Sequence, residues 1–161
     1  CGTIEIADLG AFSDVGLYAG QRKMLVGSCY LVKHGTQFML WDTGLDGQMA
    51  GRARDERGGR LDETIVTQLA RIGVKPKDIT YVGISHYHYD HTGQVADFPH
   101  SKLLISKADF SAMTSRSEAV VRFGHWLDGR GQVEHRGSRA STWTGPIRLR
   151  PMTASRGSPP I

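Results

Sequence analysis

The 161-residue sequence predicts an α/β (α+β) domain. Three observations carry that reading: apolar runs of strand length, one helix-length stretch whose apolar positions recur at steps of four and three, and Gly- or Pro-bearing connections between them. Composition agrees, because 39% apolar and 22% charged residues suit a globular chain large enough to bury one core. No apolar run is long enough to cross a bilayer, and no charged start leads into an apolar stretch as in a signal peptide.

Residues 3–9, Thr3-Ile4-Glu5-Ile6-Ala7-Asp8-Leu9, alternate as a half-buried strand does. The chain opens on Cys1 rather than methionine, so the expectation is a fragment. A processed lipoprotein would place a polar tether where this alternation already begins. Cys1 and Cys29 are the only cysteines, and two so far apart establish no disulfide framework; each reads as a small apolar residue, and the compartment stays open.

Residues 24–33 and 37–41 are two strand candidates joined by His34-Gly35-Thr36, a hairpin connection. The second strand ends at Asp42-Thr43-Gly44. From there to Gly59 the chain is rich in Gly, Arg and Asp without periodicity, which predicts a mobile loop with solvated arginines. Asp62 is the expected N-cap of a helix whose Ile65, Leu69 and Ile72 form one apolar stripe and which Gly73 ends. Pro76 and Lys77-Asp78 lead into a strand over 79–85, followed by a strand over 102–106 and a helix over 108–113, with Phe110 and Met113 as core contacts. Phe123, Trp126 and Leu127 read equally as core or as the wall of a pocket.

The strand over 79–85 delivers the most informative segment, His86-Tyr87-His88-Tyr89-Asp90-His91. In an extended chain His86, His88 and Asp90 would lean to one side and His91 would turn in beside them. Grouping these polar side chains without a shared partner would leave several unsatisfied, whereas imidazole nitrogens and a carboxylate oxygen are donors that zinc accepts. The separate His34, His100, His125 and His135 read as ordinary surface or hydrogen-bonded residues.

The string Ser85-His86-Tyr87-His88-Tyr89-Asp90-His91-Thr92-Gly93 resembles the HxHxDH motif of the metallo-β-lactamase superfamily, and its flanks look most like the N-acyl-homoserine lactonase branch. Leu40-Trp41-Asp42-Thr43-Gly44 resembles the strand-ending DTG that precedes that motif. The resemblance covers roughly residues 3 to 134. It implies the N-terminal part of an αββα sandwich, incomplete here, with residues 1–134 as the metallo-β-lactamase-like domain and 135–161 as an atypical, poorly ordered tail.

By that resemblance His86 and His88 would hold one metal and Asp90 and His91 a second, giving two Zn(2+) ions in a complete enzyme, with Asp90 as the catalytic carboxylate as well as a ligand. Iron, manganese or cobalt could occupy the same donors. Asp42 is a candidate partner for a ligand's second ring nitrogen, and a capping or turn role is equally open. A zinc-activated hydroxide would attack the carbonyl of a small-molecule substrate, a lactone or another acyl compound. A thioesterase of the glyoxalase II type, a β-lactamase, and a noncatalytic metal-binding remnant are the alternatives.

The family's later glycine-histidine, bridging aspartate and last histidine have no recognisable counterpart here. After Glu134 the only histidine is His135, and no aspartate follows. A shifted reading frame in GC-rich DNA would give such an acid-free tail of Arg, Gly, Ser and Pro; a natural divergent tail is the rival account. With two protein ligands per metal, the polypeptide alone is expected to be unstable or weakly active.

The net charge of +4 does not argue for a nucleic-acid partner. All 16 acidic residues and 15 of the 20 basic ones lie at or before Glu134, leaving that part with one net negative charge. The excess sits in the tail, which carries no recognisable nucleic-acid module.

Overall fold

The computed structural model describes residues 1–114, together with the backbone of 133–135 and 148–151. Among the described residues nine strands form two sheets: β1 (Gly2–Ile6), β2 (Lys23–Gly27), β3 (Tyr30–His34), β4 (Gln37–Trp41), β5 (Gly59–Arg60), β6 (Ile79–Gly83), β7 (Lys102–Ile105), β8 (Val133–His135) and β9 (Arg148–Pro151). The helices are α1 (Ile65–Arg71), α2 (Tyr89–Thr92) and α3 (Lys107–Thr114). The smaller sheet runs β2-β1-β5 and the larger β8-β7-β6-β4-β3-β9.

Residues 24–33 do not form one strand. The chain leaves the small sheet after Gly27 and joins the large one at Tyr30, with β2 antiparallel to β1 and β3 antiparallel to β4. The switch falls at Cys29, which is disulfide-bonded to Cys1 with 5.2 Å between the Cα atoms, so the two cysteines are not independent apolar residues. Gly27-Ser28 interrupts the apolar run at the point of the switch, a local break signal that the single-strand reading passed over because both halves satisfy a strand pattern. The expected hairpin is present: His34 faces Gln37 across Gly35-Thr36, and Gly35 takes φ +56°, a left-handed conformation that favours glycine.

Within the large sheet β4, β6, β7 and β8 run parallel, so the loops after β4, β6 and β7 leave from one edge. β6 carries an irregularity against β4: Phe38 pairs with Ile79 but Met39 with Tyr81, which leaves Thr80 as an extra residue. Beyond it Trp41 faces Gly83, where a Cβ would meet the Trp41 ring at 2.7 Å. The core joins Leu31, Leu40, Val82 and Leu103 of the sheet to Ile65 and Leu69 of α1 and Met113 of α3, with Phe110 packed against it. Both α3 residues therefore serve the core, as expected.

Three local expectations are corrected. The N-cap of α1 is Thr64, whose hydroxyl accepts the Thr67 N–H, while Asp62 pairs with Arg60 at 2.9 Å. Ile72 lies at the helix end and is 47% exposed, so the apolar stripe stops at Leu69. The stretch after Gly44 is hydrogen-bonded rather than loose: Asp55 accepts from the Arg57 and Gly59 N–H groups, and β5 pairs with β1. Arg52 and Arg57 are exposed, as expected of solvated arginines, and Arg54 is half-buried. Arg54 donates to Gly58 O and lies 3.6 Å from Glu5, and the Arg57 guanidinium sits 5.3 Å from the Tyr89 ring centroid.

Of the segment read as a tail, His135 closes β8 and Arg148–Pro151 form β9, antiparallel to β3. Its other residues lie outside the described ones, as do Phe123, Trp126 and Leu127.

Candidate metal centre

The candidate site forms where the ends of β4 and β6 lie side by side. Asp42 follows β4 directly, is 4% exposed, and adopts φ +60°, a conformation that aspartate tolerates better than most residues. Its N–H donates to Gly83 O at 2.8 Å, which fixes the backbone turn. The carboxylate then meets the chain leaving β6: Ser85 donates its N–H to Oδ1 at 2.7 Å and its hydroxyl to Oδ2 at 2.8 Å. His91 Nδ1 lies 2.9 Å from the same Oδ2. Asp42 thus takes the turn role and the ring-partner role together.

The histidine segment is extended only as far as His88. From Tyr89 to Thr92 it coils into α2, because His91 N–H and the Thr92 hydroxyl both return to His88 O. Alternation along a strand therefore does not place Asp90; a helical turn does. His91 turns back toward Asp42 as a consequence.

Gly93 permits this close folding. Its N–H donates to Gly44 O at 2.7 Å, and a Cβ there would fall 2.2 Å from Leu45 C and 2.3 Å from Asp46 N. Thr43 adds two further bonds, giving its N–H and its hydroxyl to His91 O at 2.7 and 3.1 Å.

The four sequence-predicted residues are neighbours. The His86 ring centroid lies 4.7 Å from that of His88 and 4.0 Å from that of His91, and His91 Nε2 is 3.4 Å from Asp90 Oδ2. Among the described residues, however, no three His, Cys, Asp or Glu side chains are arranged to hold one ion together. The donors fit divalent cations in kind, and the hydrogen bonds already made leave suitable atoms. With Nδ1–H committed to Asp42, His91 turns Nε2 toward Asp90, the donor with which it would share a cation; with Nδ1 3.1 Å from Ser85 Oγ, His86 keeps its own Nε2.

Charge follows the same contacts. Hydrogen bonds to Asp42 and then Asp90 push His91 up to about 9, so the imidazolium is the resting form at neutral pH. The bond to His91 holds the Asp90 carboxyl below its usual range. Burial, then the neighbouring His91 and His88, pushes His86 down, and burial with the nearby Asp90 pushes the Tyr89 phenol up.

Sequence reasoning missed two residues. Ser85 joins Asp42 to His86, and Gln94 is buried beneath the loop after β4. A lone serine or glutamine carries no compositional signal, although their positions flanking the histidine segment could have drawn notice.

A family model described as the metallo-beta-lactamase superfamily matches residues 22–102. The N-acyl homoserine lactonase of Bacillus cereus is 30% identical over 106 residues, spanning 56% of this chain and 40% of that protein. A Mycobacterium tuberculosis protein named "Probable metallo-hydrolase" is 30% identical over 94 residues, spanning 56% of this chain and 30% of its own length. Among solved structures, a quorum-quenching N-acyl homoserine lactone lactonase superposes with a TM-score of 0.65 at 21% identity, covering 83% of this chain and 53% of that one. An N-acyl homoserine lactone hydrolase with N-hexanoyl-L-homoserine bound at its catalytic metal centre gives 0.61 at 22%, covering 83% and 58%. The chain therefore spans less than half of those curated relatives, and the structural likeness is one of fold.

Proposed function

This chain belongs to the metallo-β-lactamase superfamily, and we propose that it carries part of the active centre of a metal-dependent lactonase. In this reading His86 and His88 hold one cation and Asp90 and His91 a second. Cations held there supply Lewis acidity toward a lactone carbonyl and make water acidic enough to attack near neutral pH. The single observation that carries the reading is the Asp42–Ser85–His91 cluster, which orients imidazoles at the parallel-strand ends.

The protein's own residues have separate tasks. Asp42 holds the proton on His91 Nδ1, and Ser85 bridges Asp42 to the His86 ring. Asp90 is the proposed catalytic carboxylate: ionised at neutral pH, it can take the proton that the attacking water gives up and return it to the departing ring alkoxide. The C–O bond to the ring oxygen breaks as the new C–O bond forms, and the product is the open hydroxy acid. An acyl lactone is favoured over other acyl compounds by the lactonases among the relatives.

Residues 1–134 are proposed as the metal-binding domain, to whose larger sheet the following segment adds β9 beside β3. Zinc is the proposed metal. The test is equilibrium dialysis of the full chain against zinc with elemental analysis, together with proton release from N-hexanoyl-homoserine lactone. Bound zinc that falls when both His86 and His88 become alanine, with slow zinc-dependent ring opening abolished in Asp90→Asn, is the expected result. A folded chain that binds no divalent cation would overturn the reading.

A further inference from the structure

Three stretches of backbone distant in sequence meet at one buried carboxamide. Gln94 is 2% exposed, and all of its strong hydrogen-bonding capacity points inward. Its Oε1 accepts the Ile65 N–H at 2.8 Å, one of the donors that the first turn of α1 leaves without an intrahelical partner. Its Nε2 donates to Leu45 O at 2.9 Å and to Thr43 O at 3.2 Å. Thr43 gives both its N–H and its hydroxyl to His91 O. A continuous hydrogen-bonded path therefore runs from the start of α1 through Gln94 and Thr43 to the backbone of His91, whose ring Asp42 holds from the other side.

We propose that Gln94 is a positioning residue of the metal centre: by clamping Thr43 and Leu45 against α1 it fixes where the His91 backbone lies, and so where its ring nitrogen is presented. The proposal rests on the metal-dependent reading above. Its chemistry is specific to a carboxamide of this length. One end must accept an N–H while the other donates two hydrogens to two carbonyls, and both ends are sealed from water, so an unmatched group stays unmatched. Glutamate keeps the shape and the acceptor but faces two carbonyl oxygens without a donor. Methionine keeps the volume and neither function.

The experiment measures zinc affinity of the full chain by competition with a chromophoric chelator for wild type, Gln94→Glu, Gln94→Met and Ser101→Ala, with the melting temperature of each. Ser101 is a comparable buried side chain, bonded to Ile79 O away from the site, and serves as the stability control. Both Gln94 variants are expected to lose about ten-fold or more in zinc affinity, the scale seen when the support of a ligand is removed. Ser101→Ala is expected to melt earlier while keeping wild-type affinity. Wild-type affinity in either folded Gln94 variant, or an equal loss in Ser101→Ala, would overturn the proposal.

A second readout separates this inference from the reading it rests on. The His91 Nδ1–H resonance of the zinc-free protein should be sharp in wild type and broadened or exchange-averaged in Gln94→Met. If wild type binds no zinc, the metal reading fails and this resonance still decides the clamp, since an unchanged line in the variant would sink it. If Gln94→Glu does not fold, Gln94→Met carries both measurements; failure of both to fold while Ser101→Ala folds would make Gln94 a folding determinant and overturn the positioning role.

Discussion

Asp42 Oδ2 and His91 Nδ1 lie 2.9 Å apart although the two residues are 49 positions apart in the chain. Asp42→Asn keeps the size of the side chain but removes the charge that holds the ring proton. Zinc affinity is expected to fall about 10- to 100-fold, since partners of ligand imidazoles carry that much. His91 should also titrate lower than about 9, because its largest upward influence is gone. Dialysis and an NMR titration of the ring read the two effects.

The sign of the pH dependence follows from the same residue. His91 titrates higher when folded, at about 9 against 6.5, so its contribution is fully present below pH 6.5 and is lost as pH climbs through 9. Zinc-free protein should therefore melt at progressively lower temperature across that window. Zinc must displace the His91 proton, so uptake below pH 9 should release protons and tighten as pH rises. His86, pushed down by burial, acts in the opposite sense and remains neutral at pH 7. Melting curves with and without a chelator, and calorimetry in two buffers of different ionisation heat, give the proton count.

Gly93→Ala is expected to be severe. The added methyl would meet Leu45 C and Asp46 N well inside contact distance, and both belong to backbone that cannot swing away. A cost of about 3 kcal/mol or more is expected, at the upper end for overpacking. Urea unfolding measures it, and a loss below ~1 kcal/mol would show that the loop after β4 yields.

The Cys1–Cys29 bond closes a loop with a sequence separation of 28 residues. The chain-entropy relation gives ~3.5 kcal/mol for a loop of that size. Replacing both cysteines with alanine should lower stability by about this amount, and a reductant should do the same to wild type. Denaturant midpoints in oxidising and reducing buffer compare them.

Ser85→Ala removes the hydroxyl that touches Asp42 and His86 while leaving the backbone bond from Ser85 to Asp42. About 1 kcal/mol of stability should be lost. The His86 ring should gain mobility, visible in side-chain relaxation, and Ser85→Thr should restore it.

The ordering of elements was legible wherever local signals agree. Gly35 marked the hairpin, and the strand before His86 showed in Ile79, Val82 and Ile84, all buried. Misreadings arose where a distant residue decides. Asp62 and Thr64 offer two capping side chains to one helix, and the choice of Thr64 goes with Gln94, 29 positions beyond Ile65, taking that residue's N–H. The division of residues 24–33 depends on which sheet each half joins; Gly27-Ser28 marks the break locally, but Cys1, the bond partner of Cys29, lies far off in the chain. The donor types of the candidate site were visible in the sequence. The helical turn that places Asp90 was not, because it depends on the return of His91 and Thr92 to His88 O.

The extra residue in β6 has a consequence for which length changes the chain can absorb. Thr80 advances β6 by one position against β4, and only with that advance does Gly83 stand beside Trp41 and the Ser85 amide reach Asp42. Lengthening or trimming the connection ahead of Ile79 leaves this phase intact. Losing one residue between Thr80 and Ser85 turns the wrong side chain toward Asp42, so the spacing within that short stretch is a stricter inheritance than the identity of most residues in it.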